Sequence, residues 1–215
     1  METGLAEFSG SGNLYHRYMA TIEEYQNISI EDKLRRTAHH EAGHIVVAAQ
    51  QGLHLRSEGV CVDPVGEGLA CYWKEPEDND SSRSSVIVST FAGFNAEEEF
   101  CQLHSLPILN GIPLIWSPDW NEARKIVTRL SILSPTNTAF TVEQSLQDHS
   151  RTLVKQHWPT IQAVVDRLLS KEWEPIRALK SEGVWSRQTT AKYLSGEELV
   201  SLLAFFDIPT ICRYN

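Results

Sequence analysis

The chain has 215 residues, 41% of them hydrophobic and 22% charged, an ordinary globular composition that can fill one substantial core or two small lobes without disulfide staples. Its formal charge of -9 leaves no basic stripe of the kind a phosphate backbone requires, which argues against a nucleic-acid partner. No apolar run approaches membrane-spanning length, and Met1 to Glu7 lacks the basic start and apolar core of a signal peptide, so the expectation is a cytoplasmic protein with no membrane insertion.

Residues 1–14, rich in Gly and Ser and without periodicity, read as a flexible N-terminal tail, and Tyr15 to Gln26 as a short amphipathic helix. Ser29 followed by Asp32 three residues later resembles a capping box, and predicts a helix running to Gln51 with Gly52 as its stop. Glu58 to Trp73 reads as a hairpin, with Val60-Cys61-Val62 and Leu69 to Trp73 flanking the turn-rich Asp63 to Gly68. Such a hairpin is marginal alone and must lean on the helices. Cys61, Cys71, Cys101 and Cys212 form no CxxC pair, which argues against a cysteine zinc site and against a disulfide framework. Cys61 and Cys71 are placed to face each other across the hairpin, as reduced thiols.

Lys74 to Ser85 is polar enough to be a solvated loop, with Ser85 capping a helix from Val86 to Phe100. The apolar Leu106 to Trp116, broken by Pro107, Gly111 and Pro113, reads as a loop that packs on the core or lines a cleft. Ser117-Pro118-Asp119 has the order of N-cap, N1 and N2, and opens a helix through Trp120, Ala123, Ile126, Val127 and Leu130. Thr141 with Gln144 offers another capping box for a helix through Leu153, which restarts near Pro159 and extends toward Trp173 and Ile176. Lys180 to Tyr193 is polar and turn-like, and Ser195-Gly196-Glu197-Glu198 opens a last helix. The predicted fold class is mainly α, a helical domain with a small β-hairpin or sheet beside the first long helix. It is expected to form one domain over residues 15–215, with an active-site part over about 29–135 and a C-terminal helical part over about 141–206.

The chemistry is concentrated in His40-Glu41-Ala42-Gly43-His44, an HExxH pattern in mid-helix. Residues four apart share a helix face, so His40 and His44 can reach one metal ion. Glu41 stands about 100° further round, where a carboxylate can serve as general base for a metal-bound water without being a ligand. The bland alternative is a polar turn with two solvated histidines, but the motif opens the apolar run Ile45 to Ala49, which solvated histidines rarely do. Gly43 lowers helix stability by about 1 kcal/mol relative to Ala, and marks the close approach of another backbone or simple tolerance. His39, off the motif's face, reads as structural or supporting. A catalytic zinc usually takes three protein ligands. Glu97 from the Glu97-Glu98-Glu99 run and Asp119 at a helix start are equal candidates on chemistry alone, although acidic triplets are most often solvated and an aspartate at N2 suits the helix dipole.

His40 to Ala48, the hairpin ending Gly68-Leu69-Ala70, Ala92-Gly93-Phe94-Asn95-Ala96-Glu97-Glu98, Ser117-Pro118-Asp119 with Ala123, and Leu194 to Leu199 resemble, in order and approximate spacing, the peptidase domain of the FtsH family of ATP-dependent zinc proteases. The resemblance spans roughly residues 30–204. It implies an FtsH-peptidase-like helical domain, a zinc cofactor held by His40, His44 and Asp119, and Glu41 as catalytic base. It implies Glu97 as a group beside the metal rather than on it. It also implies that Gly66, Gly68, Leu69, Ala70 and Cys71 lie along an edge strand that holds an extended substrate, a mode that reads backbone and accepts many side chains.

This sequence departs from the family at Phe94 and in Pro64-Val65-Gly66, each lacking the family's usual arginine, and in a longer Leu106 to Trp116 connection. It contains no GxxxxGK[ST] phosphate loop. The expected activity is therefore that of a soluble, stand-alone zinc metalloendopeptidase acting on peptides or unfolded proteins. The alternative is a weakly catalytic or non-catalytic binding or regulatory protein docking on a separate AAA ATPase. Association into a homo-oligomer is what the family resemblance adds.

Overall fold

The structure is a computed structural model and describes residues 27–73, 80–108, 118–133, 138–176 and 189–213. The expected N-terminal tail, the Tyr15 to Gln26 helix and most of the Leu106 to Trp116 loop lie outside these residues. The described chain is mainly helical, with a small sheet, as the sequence predicts.

Helix α1 (Ile30–Gln50) is the centre of the molecule. The Ser29 hydroxyl accepts from the Asp32 amide at 3.0 Å, and the acidic Glu31 and Asp32 of the first turn suit the positive end of the helix dipole. Gln51 caps the other end and Gly52, at φ +76°, turns the chain away. From Ala38 to Ala49 almost every side chain of α1 is buried, so the helix is covered on all sides rather than along one stripe.

The covering elements are the sheet, α2 (Asp80–Leu103), α4 (Ala139–Gln156) and α5 (Trp158–Leu169). Strands β1 (Leu55–Val62), β2 (Gly68–Tyr72), β3 (Glu174–Ile176) and β4 (Thr189–Leu194) lie in the order β2-β1-β4-β3 with antiparallel neighbours. Strand β5 (Cys212–Arg213) pairs in parallel with the start of β1. The main core gathers Ile45, Val46, Leu55, Val60, Ile161, Leu168, Leu194, Leu199 and Leu203, all at most 1% exposed. Each such side chain contributes roughly 1.5–3 kcal/mol of burial free energy. A second cluster, Ile87, Phe91, Ala123 and Val127, joins α2 to α3 (Pro118–Leu133). Among the described residues no helix is long and apolar enough to cross a membrane.

Several predicted boundaries move. Helix α2 begins at Asp80, not at a Ser85 cap: Asp80 to Ser84 already belong to the helix, the rest of the expected loop lies outside the described residues, and the Ser85 hydroxyl turns to Gln51 Oε1 at 3.4 Å instead of capping. Helix α4 begins at Ala139, with Thr138 rather than Thr141 as its cap, accepting from the Thr141 amide at 3.2 Å. The helical pattern does not extend to Trp173 and Ile176. Ser170 caps α5, and Lys192 Nζ donates to the carbonyls of Leu169 and Lys171 at 2.6 and 2.5 Å, ending the helix there. Glu174–Ile176 then pairs with β4. The turn-like reading of Lys180 to Tyr193 fails where that segment is described, because Thr189–Leu194 is the strand between β1 and β3. Helix α6 (Gly196–Ala204) keeps its predicted start, with a complete capping box between Ser195 and Glu198. All four cysteines are free, and Cys61 lies opposite Leu69 rather than Cys71.

Candidate metal centre

The middle of α1 meets the middle of α2 at Gly43. A methyl group there would stand 2.6 Å from the Ala92 carbonyl oxygen and 2.6 Å from Ala96 Cβ, so the two backbones approach as closely as they do because position 43 has no side chain. Close approach of another backbone, one of the two roles open to Gly43 from sequence, is the one it has. The helices run antiparallel, and the stripe Arg36, His40, His44 on α1 lies over the stripe Ser89, Gly93, Glu97 on α2, both with a spacing of four.

Each imidazole is fixed by α2. His44, 3% exposed, has its Nδ1 2.8 Å from the Ser89 carbonyl oxygen. A carbonyl only accepts, so Nδ1 carries a hydrogen, and in the neutral ring Nε2 carries the lone pair. His40 Nδ1 lies 3.1 Å from Glu97 Oε2, another acceptor, so Nδ1 carries a hydrogen here too. The two Nε2 atoms then face each other at 3.1 Å with the rings nearly perpendicular at 80°. Between neutral rings this approach calls for a metal ion at the focus, and with one ring protonated an Nε2–H···Nε2 hydrogen bond satisfies it. Beneath that focus is Gly93: a methyl group there would stand 2.4 Å from His44 Nε2 and 2.8 Å from His40 Nε2, so α2 leaves a cradle that any other residue would fill.

Glu97 is held in turn by Arg36, whose Nε donates to Glu97 Oε1 at 3.2 Å and whose Nη2 also bonds that oxygen. Burial works to raise the Glu97 carboxyl, but the hydrogen bond from His40 and the charge and hydrogen bonds of Arg36 outweigh it and hold the group below the usual carboxylate range. Of the three consecutive glutamates, Glu98 and Glu99 face α4, with Arg151 at 3.8 Å and Lys155 at 3.9 Å. His39 is structural. It stacks between Phe100, centroids 4.2 Å apart, and Trp158, at 5.3 Å, and donates to the Arg35 carbonyl at 2.7 Å. Burial pushes its pKa down to about 4.

Glu41 leaves α1 in another direction, toward the hairpin. It is 8% exposed, and a methyl group at Gly68 would stand 2.6 Å from its Cγ and 2.8 Å from its Oε1. The hairpin is fastened there. Asp63 Oδ1 accepts the amides of Val65 and Glu67 at 3.0 and 2.8 Å, Gly66 takes φ +86°, and the Thr37 hydroxyl donates to the Gly66 carbonyl at 2.7 Å. Strand β2 is an edge of the sheet, paired only with β1 among the described strands. Gly68, Leu69 and Ala70 on it are partly exposed, whereas Cys71 is buried. Phe94 sets its ring edge to face against His40, 4.8 Å between centroids at 87°.

The residues present fit a divalent metal. Two nitrogens about 2.0–2.1 Å from a tetrahedral ion stand about 3.3 Å apart, close to the 3.1 Å found here, and imidazole suits zinc among other ions. Among the described residues no group of three His, Cys, Asp or Glu side chains is gathered to hold a metal. Asp119 lies in the first turn of α3, and its side chain is outside the described ones. Four residues that shape this centre, Arg36, Thr37, Ser89 and Gly93, were not legible as such in the sequence. Only Gly93 left a signal, a glycine inside an apolar helical run. Compared with models of known protein families and with curated proteins, the chain matches none.

Proposed function

We propose that this chain is a zinc-dependent endopeptidase of the FtsH-peptidase kind, acting on peptides or unfolded proteins. The observation that supports it best is the pair of Nε2 atoms turned to one focus above Gly93. The motif resemblance adds Asp119 as third ligand beside His40 and His44. Zinc, when bound, supplies a Lewis acid and lowers the pKa of water.

Glu41 takes the proton of the attacking water and passes it to the leaving amine. Its carboxylate lies against Gly68, the first residue of β2, the strand whose free edge this reading gives to an extended substrate. Thr37, through Gly66, keeps the strand in register with Glu41. Unfolded substrates follow from strand addition, which requires an extended backbone. The same reading takes the protein to be cytoplasmic, supplied where needed by a separate AAA ATPase, and able to self-associate.

The test is metal content together with cleavage of an unfolded protein, for wild type and Glu41→Gln. Expected are equal zinc in both and cleavage only by the wild type. Equal zinc with no cleavage by either would leave a metal-holding binding protein and sink the peptidase. For the third ligand, Asp119→Asn should release zinc far more readily than Glu97→Gln, and the reverse order would move the assignment to Glu97.

A further inference from the structure

Arg36 is 5% exposed, and burying a guanidinium beside a carboxylate is a weak way to hold two helices together, since well-packed apolar residues do as well or better. The geometry of the pair gives it another use. Two guanidinium bonds, from Nε and Nη2, fall on Glu97 Oε1, and Glu97 Oε2 is the oxygen that meets His40 Nδ1. A carboxylate pinned at one oxygen cannot swing about its last torsion, so the other oxygen keeps its direction. Arg36 and His40 are one helical turn apart on α1 and grip Glu97 from the same side.

We infer that Arg36 is a positioning residue for the metal centre: it locks Glu97 so that His40 is held with Nδ1 protonated and Nε2 presented to the metal. This rests on the peptidase reading only in taking His40 as a ligand. Supporting groups of this kind typically change metal affinity by about 10–100-fold.

The experiment measures zinc and cobalt(II) affinity by chelator competition, on folded protein checked by circular dichroism, for the wild type and for Arg36→Met, Arg36→Lys, Glu97→Gln and the double variant Arg36→Met/Glu97→Gln. Arg36→Met should bind about 10–100-fold more weakly, and Arg36→Lys, which keeps a donor and a charge, should recover most of the loss. The double variant should bind no more weakly than Glu97→Gln alone, because Arg36 acts through Glu97. That variant leaves neither charge unpaired, so it reports even where Arg36→Met fails to fold. A folded Arg36→Met with wild-type affinity, or a double variant whose two losses add, would overturn the inference and reduce Arg36 to a tie between helices. A wild type that takes up neither metal would instead remove the peptidase reading itself.

Discussion

Gly93→Ala tests whether α2 was shaped around a metal. The added methyl would stand 2.4 Å from His44 Nε2, 2.6 Å from His44 Cε1 and 2.8 Å from His40 Nε2, where ordinary contact requires about 3.5–4.0 Å. Each ring must therefore retreat by roughly 1 Å, judged against that contact distance. His44 cannot do so without giving up its 2.8 Å bond to the Ser89 carbonyl, nor His40 its 3.1 Å bond to Glu97. Metal–ligand distances tolerate only about 0.2 Å, so the loss of affinity should exceed the roughly 100-fold at the upper end for supporting residues. The fold itself should suffer little, since alanine gains about 0.5–1 kcal/mol over glycine in a helix and local overpacking costs about 1–3 kcal/mol. Cobalt(II) absorption titrations report the site, and urea unfolding of the metal-free protein reports the fold. A folded Gly93→Ala protein with wild-type cobalt affinity and spectrum would refute the convergence of the two imidazoles over this position.

Gly43→Ala is the converse perturbation. Its methyl meets the Ala92 carbonyl oxygen and Ala96 Cβ at 2.6 Å each, so urea unfolding should show a loss of about 1–3 kcal/mol, with cobalt affinity falling far less than for Gly93→Ala; the opposite ranking would mean that the two glycines exchange roles. Away from the site, burial tends to raise the Glu198 carboxyl, but Lys171 Nζ, the Ser195 amide and the Ser195 hydroxyl bring it below its usual 4.5. A depressed folded pKa contributes stability above the unfolded value and loses it as pH falls through the folded one. Glu198→Gln should therefore be less stable than wild type at neutral pH and converge with it in acid below the carboxylate range, as followed by urea unfolding at each pH. A difference that stayed constant with pH would remove the ionised carboxylate from the explanation.

What the sequence made legible was whatever depends on neighbours in the chain. Ser29 and Ser195 cap the helices they were expected to cap, because a hydroxyl bonding to an amide three residues on is a local event. The strand at Thr189–Leu194 was hidden because one partner, Val60 to Val62, is more than a hundred residues away, the other, Glu174 to Ile176, read as the end of a helix, and its own polar residues read as a turn. Two threonines and a tyrosine in six residues were the available signal. The stacking of His39 and the carbonyl of Ser89 were hidden for the same reason: which α2 residue meets which α1 residue is set by the crossing of two helices, not by either pattern alone.

That crossing also explains why the motif is more than two histidines on a turn. An HExxH helix puts two imidazoles on one face, but each ring can still rotate and present either nitrogen. Here a second helix passes close enough, through Gly43, to offer an acceptor to each Nδ1, and through Gly93 to leave the space between the two Nε2 atoms clear. The same contact therefore sets the orientation of both rings, the hydrogen on each Nδ1 and the open space over Gly93. It also separates functions by direction, with the donors turned to α2 and Glu41 turned to β2. On the proposed reading Glu41 and the donor pair therefore act from different directions, since Glu41 lies against Gly68 of β2 while the two Nε2 atoms lie over Gly93 of α2.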